Sequence, residues 1–274
     1  MAEPFVGPSA VAERGPAVPG RFDRPGIGTF LAYLLAIAFF VASIDGIGIS
    51  VEDLVAGIPG IGRMIGQMFP PDLSRLDSIA LALLETFQMA LVGTVFGIVL
   101  SLPLAILATR SQTPHILLYG CSRALISLFR TVPDLVWALL FVIAVGLGPF
   151  AGALAIMIDT IGFCGRFFAE AMEEADHGPQ EALTALGASR LGRVFCAVIP
   201  AALPSFIGAS LFSLEKATRA SVVLGLVGAG GIGIELKVAM DLFSYAQAAT
   251  IILSIFLLVL VVERVSTFLR QRVI

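Results

Sequence analysis

One uncharged apolar stretch, residues 86–109, constrains the fold more than any other part of the sequence. It lies between Glu85 and Arg110 and contains no charged residue. A bilayer core requires about 20 apolar residues in a helix, because a helix rises only about 1.5 Å per residue. The whole chain is 58% hydrophobic and only 14% charged, whereas a soluble domain is typically about 25% charged. The sequence therefore predicts a protein that is embedded in a membrane.

Five further segments are long and apolar enough to cross a bilayer. The segment 115–150 is interrupted by arginines and by Pro133, so we interpret it as one crossing broken at the proline, with a re-entrant segment as the alternative. The interval 50–77 contains a pattern typical of a short amphipathic helix at the membrane surface. The sequence thus predicts an all-α polytopic bundle with about six transmembrane spans, at residues 28–49, 86–109, 115–150, 150–171, 194–214 and 242–262.

Basic residues are distributed unevenly between the predicted loops. Most lie before the first span, in the segment 170–193 and after the last span. Loops that are rich in arginine and lysine stay in the cytoplasm, so six spans place both termini on that side. The first 26 residues contain prolines and glycines without an early apolar core, which predicts a disordered cytoplasmic tail and not a signal peptide. Residues 27–274 then form one transmembrane domain.

Composition and residue spacing also argue against several classes of function. The net charge is −3 and no basic stripe is present, so we expect no nucleic-acid partner. The two histidines and three cysteines are scattered singly, whereas a metal site or a catalytic centre requires clustered ligands or a nucleophile beside a base. We therefore expect no metal, no catalytic residue and no enzyme activity in this chain.

The sequence GAGGIG, residues 228–233, has the GxGxxG spacing of dinucleotide-binding loops. That spacing indicates a nucleotide only within a soluble βαβ unit followed by an acidic residue, and here an apolar span follows instead. No GxxxxGK[ST] sequence is present, so we do not expect the chain to hold ATP itself. Gly228, Gly230 and Gly231 instead permit close helix packing, or they mark a broken helix that lines a pathway.

Charged residues interrupt the apolar sequence at two places. Glu215 and Arg219 have the i, i+4 spacing of an ion pair. Arg130 and Asp134 have the same spacing. Charges at membrane depth are costly, and they usually pair with each other or face a cavity. Each pair is therefore either structural or, together with Lys216, part of a positive zone along a route for an anion.

The polar segment 178–190 contains a short helical pattern. Gly178 is a candidate N-cap, Pro179 suits the first helical position, and the helix dipole favours Glu181 in the first turn. Gly187 fits the left-handed position after the last turn. A helix of about eight residues is not stable alone in water. It therefore either packs on the protein's own spans or docks onto a second protein.

The same segment resembles the coupling loop of ABC-importer permeases. The stretch EALTALGASRLGRVFCAVIP, residues 181–200, matches the family pattern in spacing at Glu181, Ala182, Gly187 and Pro200. Leucine replaces the second alanine of that pattern, and alanine and isoleucine replace its later isoleucine and leucine. FRTVPDLVWALLFVIAVGLGPFAG before this stretch and VLGLVGAGGIGIEL after it make the chain similar to the phosphonate-type permeases, and more distantly to the methionine-type. The resemblance covers about residues 77–270.

This resemblance implies the fold of an ABC type I importer permease in a bacterial cytoplasmic (inner) membrane. Two copies of the chain would form the pathway, a substrate-binding protein would deliver the solute, and two cytoplasmic ATPase subunits would bind ATP and Mg. The implied solute is a phosphonate or a related phosphorus oxyanion such as phosphite or phosphate. The alternatives are another small solute, such as methionine, or a membrane scaffold that transports nothing.

Individual residues can be assigned to these two expected roles. Those expected to couple the chain to the ATPase are Glu181, Ala182, Leu183, Ala185, Leu186, Gly187 and Pro200. Those expected along the translocation pathway are Arg130, Asp134, Glu215, Lys216, Arg219, Gly228, Gly230 and Gly231.

Overall fold

The computed structural model describes residues 26–48 and 50–273, so the tail predicted for residues 1–26 lies, apart from its last residue, outside the described part of the chain. Within that part every regular element is helical, as the sequence predicts. A π-helical turn (Val194–Val198) joins α8 to α9. The helices are α1 (Ile27–Ile47), α2 (Val51–Gln67), α3 (Leu76–Leu107), α4 (Ile116–Thr131), α5 (Asp134–Val145), α6 (Pro149–Glu174), α7 (His177–Ala185), α8 (Arg190–Arg193), α9 (Ile199–Gly225), α10 (Ile232–Asp241) and α11 (Tyr245–Val273).

The chain divides into two compact units, and the first extends to Gly60. Its helix α1 is 21 residues long, and none of those residues is buried. The helix is apolar around its whole circumference, as expected of a membrane span and not of an amphipathic surface helix. The predicted first span is therefore confirmed as a helix of spanning length.

The first turn of α2 contains the residue types that stabilise a helix N-terminus. Glu52 and Asp53 lie in its first turn, where the helix dipole stabilises acidic side chains. The Ser50 hydroxyl accepts a hydrogen bond of 3.0 Å from the backbone N–H of Asp53. The predicted short helix is confirmed, and its location at the membrane surface stays a prediction.

The second unit, from Ile61 onward, is built around α3, α6 and α9. α3 and α6 approach closely because a glycine faces the neighbouring backbone. A Cβ at Gly93 would lie 2.7 Å from the carbonyl oxygen of Ala153, and small residues are what allow membrane helices to come this near. At one end of the unit, the rings of Phe168 and Phe206 join α6 to α9 with centroids 4.3 Å apart. This packing positions the helix ends that carry the candidate site.

Among the described residues, five helices are long and apolar enough to cross a membrane, and α4 with α5 makes a sixth if the two form one span. These two helices meet at an angle of 90°. α4 ends at Thr131 and α5 begins at Asp134, so the chain breaks at Val132 and Pro133, as the proline predicts. The bend fits either a broken span or a re-entrant segment. The expected count of about six spans agrees with the structure.

The fifth predicted span, residues 194–214, is too short. α9 runs without a break to Gly225 and so includes Glu215, Lys216 and Arg219. The prediction that these charges interrupt the span is wrong. Each of them has a partner of opposite charge, and a helix can continue through charges that are compensated in this way.

Other predicted spans are also longer in the structure. α3 begins at Leu76, α6 ends at Glu174 and α11 ends at Val273, each beyond the predicted limit. Hydropathy marks only the apolar part of a helix, and its polar ends can remain helical outside the bilayer core.

Candidate functional site

The first candidate site is α7, a nine-residue helix that follows α6. Its N-cap is Asp176, whose Oδ1 accepts a hydrogen bond of 3.0 Å from the Gly178 N–H. The helix begins at His177, so the prediction that Gly178 caps it and that Pro179 is its first residue is wrong. A carboxylate satisfies a free N–H at a helix start, whereas a glycine offers no side-chain acceptor.

The end of α7 agrees with the prediction for Gly187. Gly187 has a φ of +77°, the left-handed conformation that glycine adopts without steric cost. Its N–H donates to the Thr184 carbonyl at 3.0 Å, and the next N–H, of Ala188, donates to the Leu183 carbonyl at 2.9 Å. No atom lies within 4 Å of the position of a Cβ at Gly187. The chain therefore needs glycine here for its backbone conformation and not for space.

The two sides of α7 have different surroundings. Leu183 is half-buried on the side toward the protein, and none of the nine helical residues is fully buried. Leu186, the residue just after the helix, is 83% exposed although it is a large apolar side chain. We call the exposed side the α7 face, and it consists of Glu181, Ala182, Ala185 and Leu186. An apolar side chain projecting from a short, otherwise open helix is typical of a protein contact surface.

Two hydrogen bonds hold the opposite side of α7. The Oε1 atom of Gln180 accepts from Nε2 of Gln112, which is buried in the loop after α3, at 3.1 Å. The Oγ1 atom of Thr184 accepts from Nη1 of Arg193 on α8 at 2.8 Å. These contacts explain how so short a helix keeps its shape, and they leave the α7 face free of them.

A charged cluster joins three helices beside α7. Oε1 of Glu173, at the end of α6, accepts a hydrogen bond of 2.9 Å from Nη2 of Arg123 on α4 and one of 3.0 Å from the Arg110 N–H after α3. Nε of Arg123 also donates to the Ala108 carbonyl at 2.8 Å. Sequence reasoning missed this cluster, because Arg123 and Glu173 are 50 residues apart and no local spacing pairs them.

Pro200 is the one predicted coupling residue outside this region of α7. It is exposed and lies in the first turn of α9, which continues directly from the π-helical turn Val194–Val198. The other six predicted coupling residues, Glu181, Ala182, Leu183, Ala185, Leu186 and Gly187, lie within α7 or its exit turn.

The predicted ion pair within α9 is present. Nη1 of Arg219 lies 2.8 Å from Oε1 of Glu215, and the other carboxylate oxygen of Glu215 lies 4.0 Å from Nη2 of Arg270 on α11. Lys216 pairs across to α6, with its Nζ 2.8 Å from both carboxylate oxygens of Asp159. The charges at 215–219 are thus compensated and do not form an uncompensated positive zone, and a role of Arg219 along the pathway stays a prediction. Sequence reasoning missed Asp159 and Arg270, which are distant in the chain.

The predicted pair of Arg130 and Asp134 is wrong. The two residues lie on α4 and α5, which are bent by 90°, so the helical i, i+4 geometry is lost. Oδ1 of Asp134 accepts from the Leu135 N–H at 2.9 Å instead. Arg130 lines a cleft of about 360 Å³ together with Arg123 and Arg166.

The predicted glycine segment connects α9 to α10. Gly228, Gly230 and Gly231 have φ values of 92°, 91° and 73°. A Cβ at Gly230 would lie 2.7 Å from the Pro149 backbone nitrogen, and the Ile232 N–H donates to Thr86 Oγ1 at 2.8 Å. The glycines end α9 and let the segment pack closely against α3 and the start of α6, so the close-packing alternative is confirmed. A place for this segment along a pathway stays a prediction.

Comparison with known proteins places these features in a family. Residues 101–274 match the family model described as the binding-protein-dependent transport system inner membrane component. HtxC of Stutzerimonas stutzeri, provisionally named as a phosphite transport system permease protein, is 41% identical over 241 residues, which cover 88% of this chain and 84% of HtxC. The phosphite transport system permease protein PtxC of the same organism is 39% identical over 80% of this chain and 79% of PtxC.

A solved structure supports the same fold. A chain of the MetNI methionine ABC transporter, in an inward-facing conformation, superimposes with a TM-score of 0.66 at 22% sequence identity. The match covers 74% of this chain and 99% of that chain. The fold predicted from the resemblance, that of an ABC importer permease, is therefore confirmed.

Proposed function

We propose that this chain, which belongs to the family of binding-protein-dependent transport system inner membrane components, transports a phosphorus oxyanion. In this proposal it is the permease subunit of an ATP-driven ABC importer in a bacterial cytoplasmic membrane. Phosphite is the first candidate solute, because HtxC and PtxC carry that name, and phosphonate and phosphate share its tetrahedral oxyanion group. Methionine has less support, because the chain is less similar in sequence to the methionine permease.

The observation that carries the proposal is the two-sided environment of α7. One side is held by Gln112 and Arg193, and the α7 face is open with Leu186 projecting from it. A partner that receives Leu186 in an apolar groove would bury its side chain, which contributes about 1.5–3 kcal/mol for a fully buried leucine. We propose that this partner is a cytoplasmic ATPase subunit.

Motion of α7 would reach several spans at once. Gln112 follows α3, Arg193 leads into α9, and Glu173 connects α6 to α3 and α4. A displacement of α7 by the ATPase would therefore act on the ends of four helices. The chain itself would do no covalent chemistry, and the two ATPase subunits would bind ATP and Mg.

Two further parts of the assembly are proposed with this role. A second copy of the chain would complete the pathway, and a substrate-binding protein would deliver the oxyanion on the other side of the membrane. The excess of arginine near α7 and at both ends of the sequence supports placing α7 and both termini in the cytoplasm.

Transport by a reconstituted complex tests the proposal. The chain, its ATPase and its binding protein are placed in liposomes, and uptake is measured with phosphite, phosphate, a phosphonate and methionine in turn. The proposal expects ATP-dependent uptake of at least one phosphorus oxyanion and none of methionine. Uptake of methionine alone, or of no solute by a complex that hydrolyses ATP, would reject it.

A further inference from the structure

We propose that the cleft between α4 and α6 binds a tetrahedral phosphorus oxyanion through Arg123, Arg130 and Arg166. The inference rests on the proposed function and assigns that function a binding site inside the membrane subunit. The cleft has a volume of about 360 Å³, which accommodates a small hydrated anion. Ser127 and Thr131 also line it, one helical turn apart on α4.

The two helices are built to approach each other at this cleft. A Cβ at Gly162 of α6 would lie 2.9 Å from the backbone nitrogen of Arg130 on α4. One turn further on, a Cβ at Gly165 would lie 3.2 Å from Cγ1 of Ile126. Glycine at these positions lets α4 lie nearly against the α6 backbone. Arg166 follows directly after Gly165, so the close approach brings the arginines of both helices to one cleft.

The charges in the cleft are only partly balanced. Arg123 pairs with Glu173 at 2.9 Å, and Arg166 pairs with Glu170 at 2.7 Å. Arg130 forms no ion pair with any residue of 26–48 or 50–273. A cation in the last turn of a helix complements the helix dipole. Among the three arginines of the cleft, this explains only the position of Arg130. Because Arg123 and Arg166 are each balanced by one glutamate, the three arginines keep one net positive charge, that of Arg130.

A bound oxyanion would balance the excess positive charge of the cleft. Like charges around one cleft repel each other, and the repulsion is larger where a low-dielectric bilayer surrounds them. Guanidinium groups donate paired hydrogen bonds to the oxygens of phosphate-like anions. The Ser127 hydroxyl, which is exposed, can donate a further bond. Phosphite, phosphate and phosphonate share this chemistry with a phospholipid headgroup, so an experiment must separate the two sources.

The test measures binding by the full-length chain in nanodiscs of phosphatidylcholine, with radiolabelled inorganic phosphate as the probe and unlabelled phosphite as competitor. Arg130→Gln and Arg166→Gln should each weaken phosphate binding about tenfold, which corresponds to about 1.4 kcal/mol. Arg130→Lys keeps the charge and should recover part of the loss. Arg264→Gln removes an exposed arginine of α11 outside the cleft and should bind as wild type does.

A second arm tests the lipid source. The same proteins are purified from membranes that contain phosphatidylglycerol, and retained lipid is measured by native mass spectrometry. Loss of that lipid in Arg130→Gln, without phosphate binding by wild type, would assign the cleft to a headgroup. Equal phosphate binding and equal lipid retention in wild type and both glutamine variants would overturn the site. Uptake by the reconstituted complex is measured separately, so the proposed function can stand if the site fails.

Discussion

Gln112 donates a hydrogen bond of 3.1 Å from Nε2 to Oε1 of Gln180, and this bond ties the loop after α3 to the inner side of α7. Gln112 is only 4% exposed, so water competes little for it. The contact links a membrane span to a helix that has an open outer face. In the proposed function, this contact is a route by which a force applied to α7 would reach the spans.

Removing this bond should weaken coupling. Gln180→Ala removes one of the two hydrogen bonds that Nε2 of Gln112 donates, while the bond of 3.1 Å to Oγ of Ser111 remains. A hydrogen bond of this kind contributes about 1 kcal/mol. We expect about fivefold slower oxyanion uptake at normal levels of inserted protein, measured as initial rates in the reconstituted complex. Gln271→Ala, an exposed glutamine on α11, serves as the control. Uptake at the wild-type rate by Gln180→Ala would show that this tether does not transmit motion.

The conformation of Gly187 gives a matched pair of variants. At a φ of +77° a β-branched residue is strained by about 1–3 kcal/mol, whereas asparagine tolerates the left-handed region. Gly187→Val should abolish uptake, and Gly187→Asn should retain much of it, although a Cβ at this position meets no neighbour within 4 Å. Equal uptake by the two variants would mean that the exit turn is not required. Insertion of both proteins is checked by membrane fractionation.

Charge on the α7 face should matter for docking. Glu181 is exposed and makes no ion pair within the described residues, and we expect it to meet a basic or polar residue of the ATPase groove. Glu181→Arg should abolish uptake and remove the ATPase from the purified complex while the permease still inserts. Glu52→Arg on α2 is the control and should copurify normally. Retention of the ATPase by Glu181→Arg would argue against docking at this face.

Variants of Arg219 can distinguish a role along the pathway from a purely structural role. Glu215 also lies 4.0 Å from Arg270, so it keeps one basic neighbour when Arg219 is lost. Arg219→Ala should therefore reduce oxyanion uptake more than it reduces the yield of assembled complex, and Arg219→Lys should preserve more uptake. If yield and uptake fall together, or if uptake is unchanged, Arg219 does not act on the pathway.

The glycine connection between α9 and α10 should be intolerant of side chains. Gly230→Ala places a Cβ 2.7 Å from the Pro149 nitrogen at a φ of 91°, so both space and backbone conformation oppose it. We expect a loss of about 2–4 kcal/mol in stability, since overpacking and backbone strain each cost about 1–3 kcal/mol. Gly120→Ala, within α4, meets no atom within 4 Å and should be neutral or stabilising. Thermal unfolding in detergent compares them, and equal midpoints would contradict the packing described for Gly230.

The spans and the exit turn of α7 could be predicted from the sequence because they depend on local properties. Apolar length indicates a span, and glycine at 187 indicates a left-handed turn. The ion pair of Asp159 with Lys216 could not be predicted, since 57 residues separate the partners. The prediction that the charges at 215–219 interrupt the span was wrong for the same reason. Those charges would end the helix only without partners of opposite charge, and the partners come from packing against distant parts of the chain. The N-cap was misplaced because Asp176 lies just outside the alanine-rich pattern.

Accessibility of α7 tests the central claim most directly. Cys121, Cys164 and Cys196 are first replaced, because two of them are exposed, and Leu186→Cys is then introduced. A membrane-impermeant maleimide should label Leu186→Cys in inverted membrane vesicles and not in intact cells, and the ATPase subunit should protect it. Lys237→Cys on α10, at the opposite end of the spans, should give the reverse pattern. Labelling of Leu186→Cys from outside intact cells, or equal labelling with and without the ATPase, would contradict the proposal that α7 is the cytoplasmic docking helix.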